Sequence, residues 1–287
     1  MSIITTKKRK GWKYTPQRAR LAAWWMWHRI TAPLRVMPDF LIIGAMKGGT
    51  TSLFNYLVQH PLIYPPFRKE IKFFDCNYTN GLSWYQSHFP LKAKFNSDHA
   101  VTGEATPYYI FHPVAPQRIV HDLPGVKIIV LLRNPVDRAY SHYQHMVRAR
   151  HERLSFEAAI REEEKRLAGE VEKISQDPNY PTARHIRYSY ISRGRYAEQL
   201  KVWLDLLPRE QILILDTNEL STHTSAIYKQ TLDFLGLPAW EPRNFRNLKV
   251  GSYEELNSQT RKELLDYFRP YNEQLYTLLG RKFDWDK

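Results

Sequence analysis

Three features of this 287-residue chain predict an α/β fold: a single domain on a central, mostly parallel sheet covered by helices on both faces. Residues 40–43, 126–132 and 211–215 are short, mostly apolar runs, broken only by Lys127 and opened in the last by Gln211, the pattern of strands buried on both sides. Segments with helical periodicity separate them, as parallel pairing requires a crossover between strands. The first run also ends at Gly44 and leads, through Lys47, Gly48 and Gly49, into the hydroxyl-rich start of a helix at Thr50, Thr51 and Ser52. A strand, a glycine-rich turn and a helix N-terminus make a P-loop-like anion cradle, because backbone amides converge where the helix dipole is positive.

The chain divides by charge into an arm, residues 1–37, and a domain, residues 38–287. The formal net charge is +13. Residues 1–38 hold nine Lys and Arg and no Asp or Glu, which leaves 33 basic against 29 acidic residues in the rest. The body is therefore only mildly basic, and nucleic acid is not an expected partner. Trp24, Trp25, Met26 and Trp27 lie in the arm. That apolar run is too short to span a bilayer and lacks the layout of a secretory signal. Three readings stay open for it: a helix packing its tryptophans on the domain, an interfacial membrane anchor, or a partner-binding arm. A cytoplasmic location, with peripheral membrane contact through residues 1–37 as its variant, is the expectation. The single cysteine, Cys76, excludes an intrachain disulfide and a cysteine-based structural zinc site.

After the cradle, the helix from Thr50 to Gln59 buries Leu53, Phe54, Leu57 and Val58, and Pro61 stops it. Pro65 and Pro66 impose an extended loop leading to Glu70, which lies between Lys69 and Lys72. Taken alone, Glu70 reads as a solvated carboxylate. A short helix over 81–90 and a weak strand over 101–108 follow. The 126–132 strand delivers Arg133 to its C-terminal edge, where open α/β sheets bind ligands. Pro135 and Asp137 start the next helix, to about Arg150, with Ser141 two turns in. Arg133 also admits a plain role as a core ion-pair partner. Residues 155–169 read as an amphipathic surface helix, 174–187 as a loop over the site, and 192–206 as a helix with Tyr196 on its apolar side. Beyond the third strand run come a helix over 225–235 closed by Gly236, a basic loop over 241–253, and a final helix over 258–279 perturbed at Pro270. The Walker A pattern fails, since it needs Lys where Thr50 stands. A P-loop kinase or hydrolase is the competing reading, with Asp216 as its one candidate acidic ligand.

Four blocks carry a resemblance to a known family. Residues 44–52, 69–75, 133–141 and 248–253 resemble motifs of the sulfotransferases that use 3′-phosphoadenosine 5′-phosphosulfate (PAPS), and look most like the heparan sulfate N- and 3-O-sulfotransferase branch. The resemblance implies sulfuryl transfer from PAPS to a hydroxyl or amine, with a carbohydrate as the expected acceptor and a lipid or small-molecule hydroxyl as the alternative. It implies that Lys47 stabilises the leaving phosphate and that Glu70 is the general base. Gly48, Gly49, Thr50, Thr51 and Ser52 would supply N–H and hydroxyl donors. Arg133 and Ser141 would bind the 3′-phosphate, Tyr196 would contact adenine, and Lys249, Gly251 and Ser252 would cover the nucleotide. No metal is implied. One departure stands out: Ala105 occupies a position where that branch commonly has lysine. No histidine matches the base of the cytosolic branch, and His112 and His121 read as surface residues.

Overall fold

A computed structural model of the chain describes residues 23, 25–242, 244–245 and 254–285. Its sheet has four parallel strands, β1 (Phe40–Gly44), β2 (Gly103–Ala105), β3 (Lys127–Leu132) and β4 (Ile212–Asp216), in the order β2-β1-β3-β4. Between β1 and β2 run α1 (Thr50–Leu57), α2 (Phe73–Cys76) and α3 (Leu82–Gln86). Helix α4 (Ala115–Asp122) returns the chain to β3. The long excursion from β3 to β4 holds α5 (Pro135–Arg148), α6 (Phe156–Arg161), α7 (Glu163–Leu167), α8 (Glu170–Gln176), α9 (Ala183–Tyr188) and α10 (Tyr196–Leu206). Helices α11 (Thr217–Thr222), α12 (Thr224–Leu235) and α13 (Ser258–Leu279) complete the domain.

Successive strand side chains point to opposite faces, and both faces are covered. Leu41, Ile43, Ile128, Val130, Ile212 and Ile214 pack with Ile119 of α4 and with Leu200 and Trp203 of α10. Phe40, Ile42, Ile129, Leu131 and Leu215 pack with Leu53, Phe54 and Leu57 of α1 and with Tyr228 and Leu232 of α12. This is why the strand runs are apolar without alternation. Gly236 and Gly280 close α12 and α13 in the left-handed conformation, φ +77° and +63°. Pro270 lies inside α13, which continues to Leu279.

Several sequence expectations need correction. Residues 174–187 are not one loop, since the end of α8 and most of α9 occupy them. The helix expected over 155–169 is two, α6 and α7. They meet at Glu162, and Glu163 turns inward to accept hydrogen bonds from the amides of Ile191 and Ser192. His112 is buried. Its Nδ1 accepts from the amides of Val114 and Ala115, and burial lowers its pKa to about 3. In the arm, residues 25–30 are helical. Trp25 packs on the domain, whereas Trp27 is exposed. Among the described residues no helix is long and apolar enough to cross a membrane.

Candidate active site

Chain geometry assembles the cradle at the C-terminal edge of β1 and β3. The Ala45 amide donates to Leu131 O at 2.7 Å, and the Gly48 amide donates to Ala45 O at 2.9 Å. A Cβ on Gly48 would sit 2.7 Å from Leu131 O and 2.9 Å from Ala45 O, so backbone packs where any side chain would go. Gly49 caps α1 at φ +86°, and Lys47 is also left-handed at φ +70°. A lysine held in that region is strained, a cost tolerated where a site needs the geometry. The Thr217 hydroxyl lies 2.7 Å from both Gly48 O and Leu132 O, tying the loop to β3 and to the start of α11.

This turn spends two of the expected donors. The Gly48 amide is tied to Ala45, and the Ser52 amide donates to Gly49 O. The amides of Gly49, Thr50 and Thr51 have no acceptor among the described residues, so these three are the backbone donors this turn leaves open there. Thr50 is buried, while Thr51 and Ser52 are partly exposed.

Arg133 leaves β3 beside the cradle and donates through Nη1 to Lys47 O at 3.3 Å. Arg133 and Lys47, 86 residues apart in the chain, are therefore in direct contact. Asn134 caps α5 by accepting from the amides of Val136 and Asp137, which fixes the turn that aims Arg133. A cavity of about 420 Å³ adjoins it, lined by Arg133, Asp137, Tyr140, Glu254, Glu255, Leu256 and Arg261. Arg261 pairs with Asp137 at 2.8 Å on this wall. Ser141 is buried two turns into α5. Tyr196, expected from the resemblance to contact adenine, has its ring buried in the core; its hydroxyl donates to Arg133 O at 2.8 Å and so supports Arg133 from behind. Lys249, Gly251 and Ser252 lie outside the described residues.

Glu70 is tied to the cradle through its neighbour. Lys69 Nζ donates to Thr51 Oγ1 at 2.9 Å and lies 3.4 Å from Glu70 Oε1, joining the Glu70 loop to the first turn of α1. The Ala105 amide donates to Lys69 O at 3.0 Å, so a lysine stands beside the position where one was missed. Lys72 Nζ lies 3.9 Å from Glu70 Oε2. The Glu70 side chain remains 41% exposed, open to a molecule arriving from solvent.

Sequence reading missed what holds that loop. The amides of residues 71 to 74 are all satisfied by side chains from the β2 edge. Glu104 accepts from Ile71 N at 3.2 Å, Thr106 Oγ1 from Lys72 N at 3.4 Å, and Tyr109 Oη from Phe73 N at 2.9 Å and Phe74 N at 3.4 Å. Glu104 is fully buried and also accepts from Tyr85 Oη, Tyr109 Oη and Thr106 Oγ1 at 3.1, 2.9 and 2.6 Å. Burial raises its pKa to about 7, against those hydrogen bonds. An acid inside the Gly-Glu-Ala strand was the available signal. Arg193 was missed too. It is buried between Tyr108 and Phe111, 4.9 and 5.0 Å from their ring centres, and its Nη1 lies 3.4 Å from Met46 Sδ in the cradle. Burial lowers its pKa to about 9.

Asp216, the candidate acidic ligand of the kinase or hydrolase reading, is buried and caps α11 by accepting from the Asn218 amide at 3.1 Å. Among the described residues no three His, Cys, Asp or Glu side chains group as a metal site.

The family model described as a sulfotransferase domain matches residues 37–269. The chain belongs to the sulfotransferase family, and it is an enzyme of that class. It is 30% identical to the membrane-associated sulfotransferase kil1 of Dictyostelium discoideum, over 89% of this chain and 68% of that protein. It is 32% identical to the bifunctional heparan sulfate N-deacetylase/N-sulfotransferase 2 of Bos taurus, over 85% of this chain but only 30% of that protein. A sulfotransferase from Alicyclobacillus acidocaldarius has a crystal structure that superposes with a TM-score of 0.71 at 32% identity, covering 88% of this chain and all of that one. Within this sulfotransferase fold, the cradle and Arg133 stand together at the sheet edge.

Proposed function

We propose that the chain transfers a sulfuryl group from PAPS to a hydroxyl or amine acceptor, with a carbohydrate as the favoured class. The observation that carries this reading is the Arg133–Lys47 contact at 3.3 Å, with Glu70 linked to the same cradle through Lys69 and Thr51. Its residues fit the donor. The amides of Gly49, Thr50 and Thr51, open among the described residues, with the Lys47 ammonium, suit a 5′-phosphosulfate, and the Arg133 guanidinium beside its cavity suits a 3′-phosphate. Residues 38–287 act as the transfer unit and residues 1–37 as an appended arm.

The donor supplies an activated sulfuryl group, and the acceptor oxygen or nitrogen attacks it in line with the leaving phosphate oxygen. The S–O bond to that phosphate breaks, a bond from sulfur to the acceptor forms, and the acceptor proton passes to a Glu70 oxygen. Lys47 stabilises charge developing on the leaving oxygen. Tyr196 and Thr217 are positioning residues for Arg133 and the loop. Two relatives with heparan sulfate in their names support a glycan acceptor, the second being the 3-O-sulfotransferase 3B1 of Mus musculus at 29% identity. Cytoplasmic residence with peripheral membrane contact belongs to the same proposal, and the name of the Dictyostelium relative supports the membrane part. The test is product formation from labelled PAPS across a panel of glycan acceptors, with wild type, Lys47→Ala and Glu70→Gln. Removal of the base should cost about 10²–10⁴-fold in turnover. Wild-type rates in both variants would remove the mechanism.

A further inference from the structure

Residues 25–34 turn their apolar side outward. The inward side is aromatic and polar: Trp25 meets Phe67 and His88 with ring centroids 6.1 and 5.2 Å apart, and His28 Nδ1 lies 2.8 Å from Ser87 O. The segment is anchored just beyond by buried Arg35, which donates through Nη1 to Phe89 O at 2.6 Å and through Nε to Thr31 Oγ1 at 3.1 Å. On the outward side Met26, Trp27, Ile30 and Leu34 are 62%, 56%, 70% and 64% exposed. The four-residue spacing puts Met26 and Ile30 on one helical face. Phe67, 56% exposed and touching Trp25, extends this surface.

Basic groups rim it. Arg29, Arg68 and Lys94 are exposed. Lys94 lies near His28 and Arg68 near His88, since their charges add to burial in lowering those histidine pKa values. In sequence, residues 1–38 add a basic excess with no acidic residue. Large apolar side chains held out in water on a fixed frame mark an interaction surface. An apolar face with cationic edges matches an anionic bilayer interface, where the face sits at the acyl boundary and the cations meet headgroups.

We propose that Met26, Trp27, Ile30, Leu34 and Phe67 form a docking face for an anionic lipid bilayer. This rests on the peripheral placement proposed above and deepens it by naming the surface and the lipid charge. It also sets the transfer site at the lipid surface: Phe67 and Glu70 are three residues apart, so their Cα atoms lie within about 11 Å.

The experiment is co-sedimentation of the full chain with phosphatidylcholine vesicles, with and without phosphatidylserine. The wild type binds the phosphatidylserine vesicles at least about tenfold more tightly, and added salt weakens that preference. Combining Met26→Ser, Trp27→Ser, Ile30→Ser and Leu34→Ser lowers binding about a hundredfold or more. Phe67→Ser alone lowers it about tenfold. These side chains are exposed, so the variants keep the wild-type unfolding midpoint. The proposal is overturned if the wild type stays in the supernatant, or if the fourfold variant sediments like wild type. It is equally overturned if light scattering shows that the fourfold substitution only splits a dimer while vesicle binding persists. Binding is read without turnover, so its failure leaves sulfuryl transfer standing, and failed transfer leaves docking standing.

Discussion

Replacing Glu104 by glutamine should flatten a defined part of the stability–pH curve. Glu104 is fully buried with a pKa raised from 4.5 to about 7, chiefly by loss of hydration. The raised value means the folded state holds the proton more tightly than the unfolded chain does. Below pH 4.5 both states are protonated and the advantage is complete. Between there and about 7 the unfolded chain ionises first, and stability falls as pH rises. Above about 7 the loss is complete, and the difference between the two values corresponds to about 3 kcal/mol. Asp75, raised to about 6 by its own burial, slopes the curve the same way in both proteins, so the comparison cancels it. The assay is urea unfolding from about pH 5 to about pH 8. Wild type should lose roughly 2–3 kcal/mol more than Glu104→Gln over that range. Glu104→Ala should be destabilised by about 2–5 kcal/mol throughout, because buried donors including the Ile71 amide lose their acceptor. Parallel curves for wild type and Glu104→Gln would refute the reasoning.

Other expectations concern the cradle. Gly48→Ala forces a methyl group within 2.9 Å of two backbone oxygens and should cost at least about 1–3 kcal/mol in stability, measured by denaturant titration. Tyr196→Phe removes the 2.8 Å support of Arg133 O and should weaken adenosine 3′,5′-bisphosphate binding by about 1 kcal/mol, or roughly fivefold by calorimetry. Thr217→Val deprives Gly48 O and Leu132 O of their donor, and the same titration should show weaker binding of about tenfold.

Much of the scaffold was legible because β1, β3 and β4 are buried on both faces, leaving short apolar runs without the polar alternation of a half-exposed element. Strand β2 was faint: three residues, one of them an acid, carry little periodic signal. Helices α8 and α9 were hidden for another reason. Pro178, Asn179 and Pro181 between them dominate the local pattern, and each helix has only a narrow buried side. Arg133 and Lys47 could be named from their motifs, but their contact depends on the register that sets Gly44 opposite Val130. The network through Glu104, Thr106 and Tyr109 left one trace, the acid inside the Gly-Glu-Ala strand, and its partners stayed unreadable, since a buried carboxylate and an exposed one look alike until the chain folds around it. The arm posed the same difficulty: 25–34 is amphipathic in sequence, and only packing shows which side faces the domain.

The central claim is that one nucleotide bearing phosphate at both ends bridges Lys47 and Arg133. Calorimetric titration of wild type and Arg133→Ala with adenosine 3′,5′-bisphosphate, adenosine 5′-monophosphate and ATP–Mg²⁺ tests it directly. Wild type should prefer the bisphosphate over the monophosphate by at least about tenfold, a charge-assisted contact of about 1.5–3 kcal/mol, and Arg133→Ala should erase that preference. A preference that survives in Arg133→Ala, or tighter binding of ATP–Mg²⁺ than of the bisphosphate, would contradict the account.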